Sequence, residues 1–165
     1  MKRIPLKRSS KPMKRTRLSK RSKATRPNLI LACDALWAWN VKWNASDGHE
    51  DLPFAKCEWC PNPGTEAHHM IVRRRSLYLR HHLSNGVWLC SSCHRRFHDH
   101  ESLTGWEHFE DTRPEDYTVV RDHRYRVIPI SQGDLQDTLA HLKRLATQRG
   151  WLPTEKSLPL LKEAA

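Results

Sequence analysis

Beyond residue 27, apolar side chains return at helical spacing: Leu29, Leu36 and Trp43 stand seven apart, with Ala32, Cys33 and Trp39 in adjacent positions. That period places them on one helix face, and Asn28 is a residue type that caps helices. The pattern therefore predicts an amphipathic helix from Asn28 to about Ala45. Trp37, Trp39 and Trp43 carry rings that could stack on bases, but at this spacing they read as core. Ser46-Asp47-Gly48 and Pro53 mark a loop beyond it.

The rhythm then changes. Pro61-Asn62-Pro63-Gly64 makes a turn, Thr65 to Val72 reads as a strand, Asn85-Gly86 marks a second turn before Val87 to Leu89, and a short helix opens at Cys90 and runs to about His100. This is a β-β-α unit. Further on, the aromatic and β-branched stretches Tyr117 to Arg121 and Tyr125 to Ile130 predict a hairpin around Asp122-His123. Ser131, with Asp134 three residues later, forms a variant capping box. The helix it opens has Leu135, Leu139, Leu142 and Leu145 as its apolar face and ends at Gly150. The expected fold class is α+β, with a folded domain over 28–152, an extended basic arm over 1–27 and a flexible tail over 153–165. A chain of 165 residues suits one modest core rather than two.

Charge sharpens this division. Residues 1–27 hold twelve Lys/Arg and no acid, so the formal net charge of +11 leaves the remainder near −1. Such a block repels itself until a polyanion neutralises it, which makes nucleic acid the expected partner, DNA in the first instance with RNA open. The arm's loose echo, Pro5-Leu6-Lys7-Arg8 and Pro12-Met13-Lys14-Arg15, adds low-complexity character. No apolar run approaches the roughly 18 residues of a membrane span, and no apolar segment follows the basic N-terminus as in a secretory signal. A reducing, intracellular location is the expectation.

Four of the five cysteines form two pairs, Cys57-x-x-Cys60 and Cys90-x-x-Cys93, separated by 29 residues. In a reducing compartment this spacing suits four thiolates on one tetrahedral Zn²⁺, a closed structural site with no position left for substrate. Cys33, the odd one, lies in the first helix and reads as a packed thiol.

Between and after the pairs stand Glu66-Ala67-His68-His69, then Asn85, then Cys93-His94-Arg95-Arg96-Phe97-His98. Over Cys57 to His98 the chain resembles the HNH (β-β-α-metal) endonucleases, in the zinc-bound subgroup with paired C-x-x-C motifs. The basic Pro-Leu-Lys-Arg opening is also similar to that of phage-encoded members, which would make the location a bacterial cytoplasm. The resemblance implies hydrolysis of DNA phosphodiester bonds to 5′-phosphate and 3′-OH ends. It implies His68 as a ligand of a catalytic divalent metal (Mg²⁺, Mn²⁺ or Zn²⁺), with His98 and His94 as further ligands. It makes His69 the general base, and Asn85 a residue that orients the base or joins the metal.

The residues themselves agree with that division. Adjacent strand residues point to opposite faces, so His68 and His69 should serve different purposes, while His94 and His98, four apart, share one helical face. An ordinary imidazole titrating near ~6.5 suits a base at neutral pH. Arg73, Arg74 and Arg75, with Arg80, Arg95 and Arg96, are candidate phosphate contacts flanking the cut bond. The competing reading is a zinc-dependent nucleic-acid-binding module that does not cut. The cysteine pairs and arm fit it equally well, but it has no use for a ligand trio beside a free imidazole.

Overall fold

A computed structural model describes residues 25–46, 55–99 and 102–151. Residues 25–27 of the arm expected over 1–27 open the first helix, while residues 1–24 of that arm, the loop around Asp47 to Pro53, the far end of the helix at His100 and the tail over 153–165 lie outside the described residues. These hold five α-helices and one two-stranded antiparallel sheet, in the order α1 (Arg26–Ala45), β1 (Glu66–His69), β2 (Gly86–Leu89), α2 (Ser91–His98), α3 (Ser102–Thr112), α4 (Pro114–His123) and α5 (Gln132–Gln148). The architecture is α+β, with a small β-β-α arrangement at its centre. No helix among the described residues is long and apolar enough to cross a membrane.

The first helix starts three residues earlier than its polar signal suggests. Thr25 takes the cap position and Pro27 sits in the first turn, where a missing N–H costs nothing, so Asn28 lies inside the helix rather than capping it. Its buried stripe is Leu29, Ala32, Cys33, Leu36, Trp37, Asn40 and Val41. That face packs on Leu135, Leu139, Leu142 and Ala146 of α5, forming one core with Trp88 and Ala55. The two helices are also tied at Asn40, whose Oδ1 accepts from Arg149 Nη1 at 2.7 Å. The expected capping box opens α5: Asp134 N–H donates to Ser131 Oγ at 3.1 Å and Ser131 N–H to Asp134 Oδ2 at 2.7 Å. Gly150, at φ +80°, follows its end.

The expected hairpin is absent. Tyr117 to Arg121 belongs to α4, because Pro114 at its start and Glu115 and Asp116 in its first turn are helix-opening residues that outweigh the β-branched Thr118-Val119-Val120. Tyr125 to Ile130 forms no strand, and α3 was not foreseen. Together α3 and α4 cover a second core of Met70, Ile71, Leu79, Val87, Leu89, Phe97, Phe109 and Val120 built around the cysteine pairs.

In the sheet, His68 pairs with Val87 and His69 with Gly86. The strand expected over Thr65 to Val72 is trimmed at both ends. After His69 the chain leaves the sheet, and the return passes through two 3-10 turns, Leu79–His81 and Leu83–Asn85. Gly86 is where α1 meets the sheet: a Cβ there would collide with Val41 and come within 2.8 Å of the Trp37 ring.

Candidate metal centre

The cysteine pairs meet at one end of the β-β-α unit. Their four sulfurs lie within 4.8 Å of one another, with Cys60 Sγ 3.7 Å from Cys90 Sγ. A tetrahedral zinc with bonds of about 2.3 Å holds its sulfurs about 3.8 Å apart, so the cluster could hold a structural metal such as zinc. The backbone is shaped to thiolates. Trp59 N–H donates to Cys57 Sγ and Cys93 N–H to Cys90 Sγ, each at 3.4 Å, and Cys90 thereby caps α2. The Cys93 N–H and neighbouring sulfurs pull the Cys90 thiol down to about 7, while burial raises Cys57 and Cys93. Cys33, buried against α5 and pushed up to about 12 by burial, is an inert thiol as expected.

A second group gathers on α2 and β1. Ligand atoms of His68, His94 and His98 also lie within 4.8 Å of one another. Their rings stand nearly perpendicular in pairs, with centroids 4.8 Å apart for His68–His94 and 4.9 Å for His68–His98 and His94–His98. His68 Nε2 is buried with no hydrogen-bond partner, an orphan that a cation would satisfy. Burial and the neighbouring histidines push the His68 imidazole down to about 3, so it stays neutral and able to ligate. His94 Nδ1 lies 3.2 Å from Glu66 Oε2, which leaves its Nε2 as ligand, the usual carboxylate-histidine support of a metal site. The donor set therefore fits a divalent ion with an open coordination side. Glu66 is the member that motif spacing did not single out, although its position two residues before His68 puts it on the same strand face.

His69 faces the other way, toward α1. Its ring stacks on Trp37 at 3.7 Å and 16°. Its Nε2 lies 2.8 Å from the Arg80 carbonyl oxygen. A carbonyl only accepts, so Nε2 carries the proton and Nδ1 is left as a free base. Burial pushes this ring down to about 4, Arg80's carbonyl opposing the shift and Arg73 adding to it. The ordinary titration near ~6.5 expected from residue type is displaced accordingly.

Asn85 is wholly buried, and its side chain is engaged with backbone. Oδ1 accepts from Ile71 N–H at 2.7 Å, and Nδ2 donates to the Ile71 and Leu79 carbonyls, each at 3.0 Å. It bonds neither His69 nor the trio, and instead pins the chain between β1 and the turn that carries the Arg80 carbonyl. Its link to His69 therefore runs only through that turn.

The arginines divide. Arg73 and Arg74 line a cleft of about 620 Å³ together with His68, His69, His94 and His98. Arg75 lies over the Tyr125 ring at 5.0 Å and Arg96 over Trp59 at 4.9 Å. Arg95 is exposed on α2. Arg80, also expected as a phosphate contact, is turned to α1: its Nε and Nη2 donate to Asp34 at 2.8 and 2.6 Å. Burial raises the Asp34 carboxyl, but the bonds from Arg80 and His81 outweigh this and hold it well below the usual range. Trp37 and Asp34, both in the cleft wall, carry no motif; their three-residue spacing on one helix face was the available signal. The chain matches no family model, no curated protein and no solved structure.

Proposed function

We propose that this chain is a metal-dependent endonuclease of the HNH type that hydrolyses DNA phosphodiester bonds, with a structural zinc on Cys57, Cys60, Cys90 and Cys93. One observation carries the reading. In a single cleft, three imidazoles converge from β1 and α2, while a fourth, His69, keeps an unprotonated nitrogen in its fixed tautomer.

A divalent ion held by His68, His94 and His98 would stabilise charge on the scissile phosphate and its leaving oxygen. His69 Nδ1 takes the proton of the attacking water, and its Nε2–H stays on the Arg80 carbonyl, so the ring does not rotate as it becomes cationic. Glu66 holds His94, and Arg73 and Arg74 hold the flanking phosphates at the cleft rim. Asn85 fixes the loop between base and sheet. A binding module would gain nothing from a free base beside a ligand trio, whereas hydrolysis requires both.

The test is incubation of the zinc-loaded protein with supercoiled, linear, single-stranded and branched DNA in Mg²⁺, Mn²⁺, Zn²⁺ or chelator. Metal-dependent cutting of at least one form, stopped by chelator, is the expected result. Binding without cutting in any metal would favour the non-catalytic module instead.

A further inference from the structure

We propose that α1, although outside the β-β-α unit, completes the site by fixing the His69 ring, with Trp37 and Asp34 as positioning residues. The acceptor for His69 Nε2 is the carbonyl of Arg80, in the middle of the 3-10 turn Leu79–His81. A three-residue turn of this kind is weakly self-supporting, and α1 ties it at several points. Asp34 accepts from Arg80 Nε and Nη2 at 2.8 and 2.6 Å, and its Oδ1 lies 2.8 Å from His81 Nε2. Trp37 Nε1–H donates to the His82 carbonyl at 3.0 Å. The same indole, 2% exposed, covers one face of His69 at 3.7 Å.

Both constraints on the ring, the bond at Nε2 and the stacked face, therefore lead back to one helix. With Nε2–H committed to the carbonyl, only Nδ1 is bare. Freeing the turn would let the ring exchange tautomers, so that the bare nitrogen is misplaced for part of the time. The competing account makes Trp37 a core ring and Asp34–Arg80 an ordinary ion pair. Their loss would then lower stability and leave the tautomer unchanged.

The kinetic consequence rests on His69 being the general base, but the ring's tautomer can be read without it. The full-length, zinc-loaded protein with ¹⁵N-labelled histidine is examined by long-range ring correlations, which separate protonated from bare nitrogens; His69 is assigned by the signal lost in His69→Gln. Wild type should show a single His69 tautomer protonated at Nε2, and Trp37→Phe, which keeps a ring on the imidazole, should retain it. Trp37→Leu and Asp34→Ala should show mixed tautomers. Their turnover at saturating metal should fall about 10-fold or more, with the half-saturating metal concentration and the His68, His94 and His98 signals unchanged.

Should Trp37→Leu not fold, Asp34→Ala decides alone, because Asp34 sits at the cleft rim. A single Nε2-protonated tautomer persisting in Asp34→Ala, or a proton on Nδ1 in wild type, overturns the proposal. An inactive wild type would overturn the nuclease reading instead, and the tautomer measurement would still decide the role of α1.

Discussion

His69 owes its chemistry to where it is buried as much as to its residue type. A free imidazole takes a proton near 6.5, but the folded one does so only near 4. Between these values the unfolded chain binds more protons, so the ring's contribution to stability is complete above 6.5 and is lost as pH falls toward 4. The urea midpoint should consequently fall less steeply over that window in His69→Gln than in wild type; parallel curves would contradict the burial described. In cleavage, the acid limb belonging to His69 should lie near 4, leaving no slope from this residue between about pH 6 and 8. A limb near 6.5 that disappears in His69→Ala would contradict it. Asn85→Ala should cost roughly 3 kcal/mol in urea unfolding, because it strips partners from three buried backbone groups. A loss under about 1 kcal/mol would mean that water replaces the amide. The residue types at 68, 69, 85, 94 and 98 were legible in the chain, but the partners of Asn85 and Arg80 were not. Those partners are backbone atoms and an acid 46 residues away, and nothing local encodes either.

At the scale of elements, legibility followed the strength of local signals. Both long helices were readable because each buries an i, i+3, i+4 stripe, and α5 also has a side-chain cap and a terminal glycine. In the α4 segment the β-branched Thr118 to Val120 point to a strand, but Pro114 and the acidic first turn set the helix register. In its neighbour α3 the buried ring, Phe109, packs against Trp106 and Tyr117. The first C-x-x-C pair has little regular structure of its own, since the loop Cys57 to Gly64 is held by isolated bonds such as Cys57 N–H to the Asn62 carbonyl at 2.8 Å. Replacing Cys57 or Cys90 with Ser should abolish bound zinc and unfold the second core, as structural zinc supplies on the order of 10 kcal/mol to such modules. Elemental analysis together with near-ultraviolet circular dichroism would show this. A metal-free protein with native tertiary signals would refute the staple.

Across the whole molecule, charge and chemistry are separated along the chain. Twelve cations without an acid lie in residues 1–27, and the first of the clustered histidines, His68, comes some forty residues later. If six of those cations meet phosphate, log K against log[salt] should steepen by about 5. Deleting residues 1–24, which stops short of the α1 cap Thr25, should remove that steepness and leave turnover on saturating substrate intact. An unchanged salt slope would rule out the arm as a phosphate contact. Helix α1 belongs to the first core and walls the cleft, so His69 sits between the β-β-α unit and the α1–α5 pair. The measurement that tests the central claim most directly is the rate of supercoiled DNA cleavage against Mg²⁺ or Mn²⁺ concentration for wild type, His68→Ala and His69→Ala. The two variants should fail in different ways. His68→Ala should need more metal and partly recover at high concentration, whereas His69→Ala should stay about 100-fold or more below wild type at every concentration while still binding DNA. Identical metal responses in the two variants, or wild-type cutting by His69→Ala, would contradict the assignment of ligand and base.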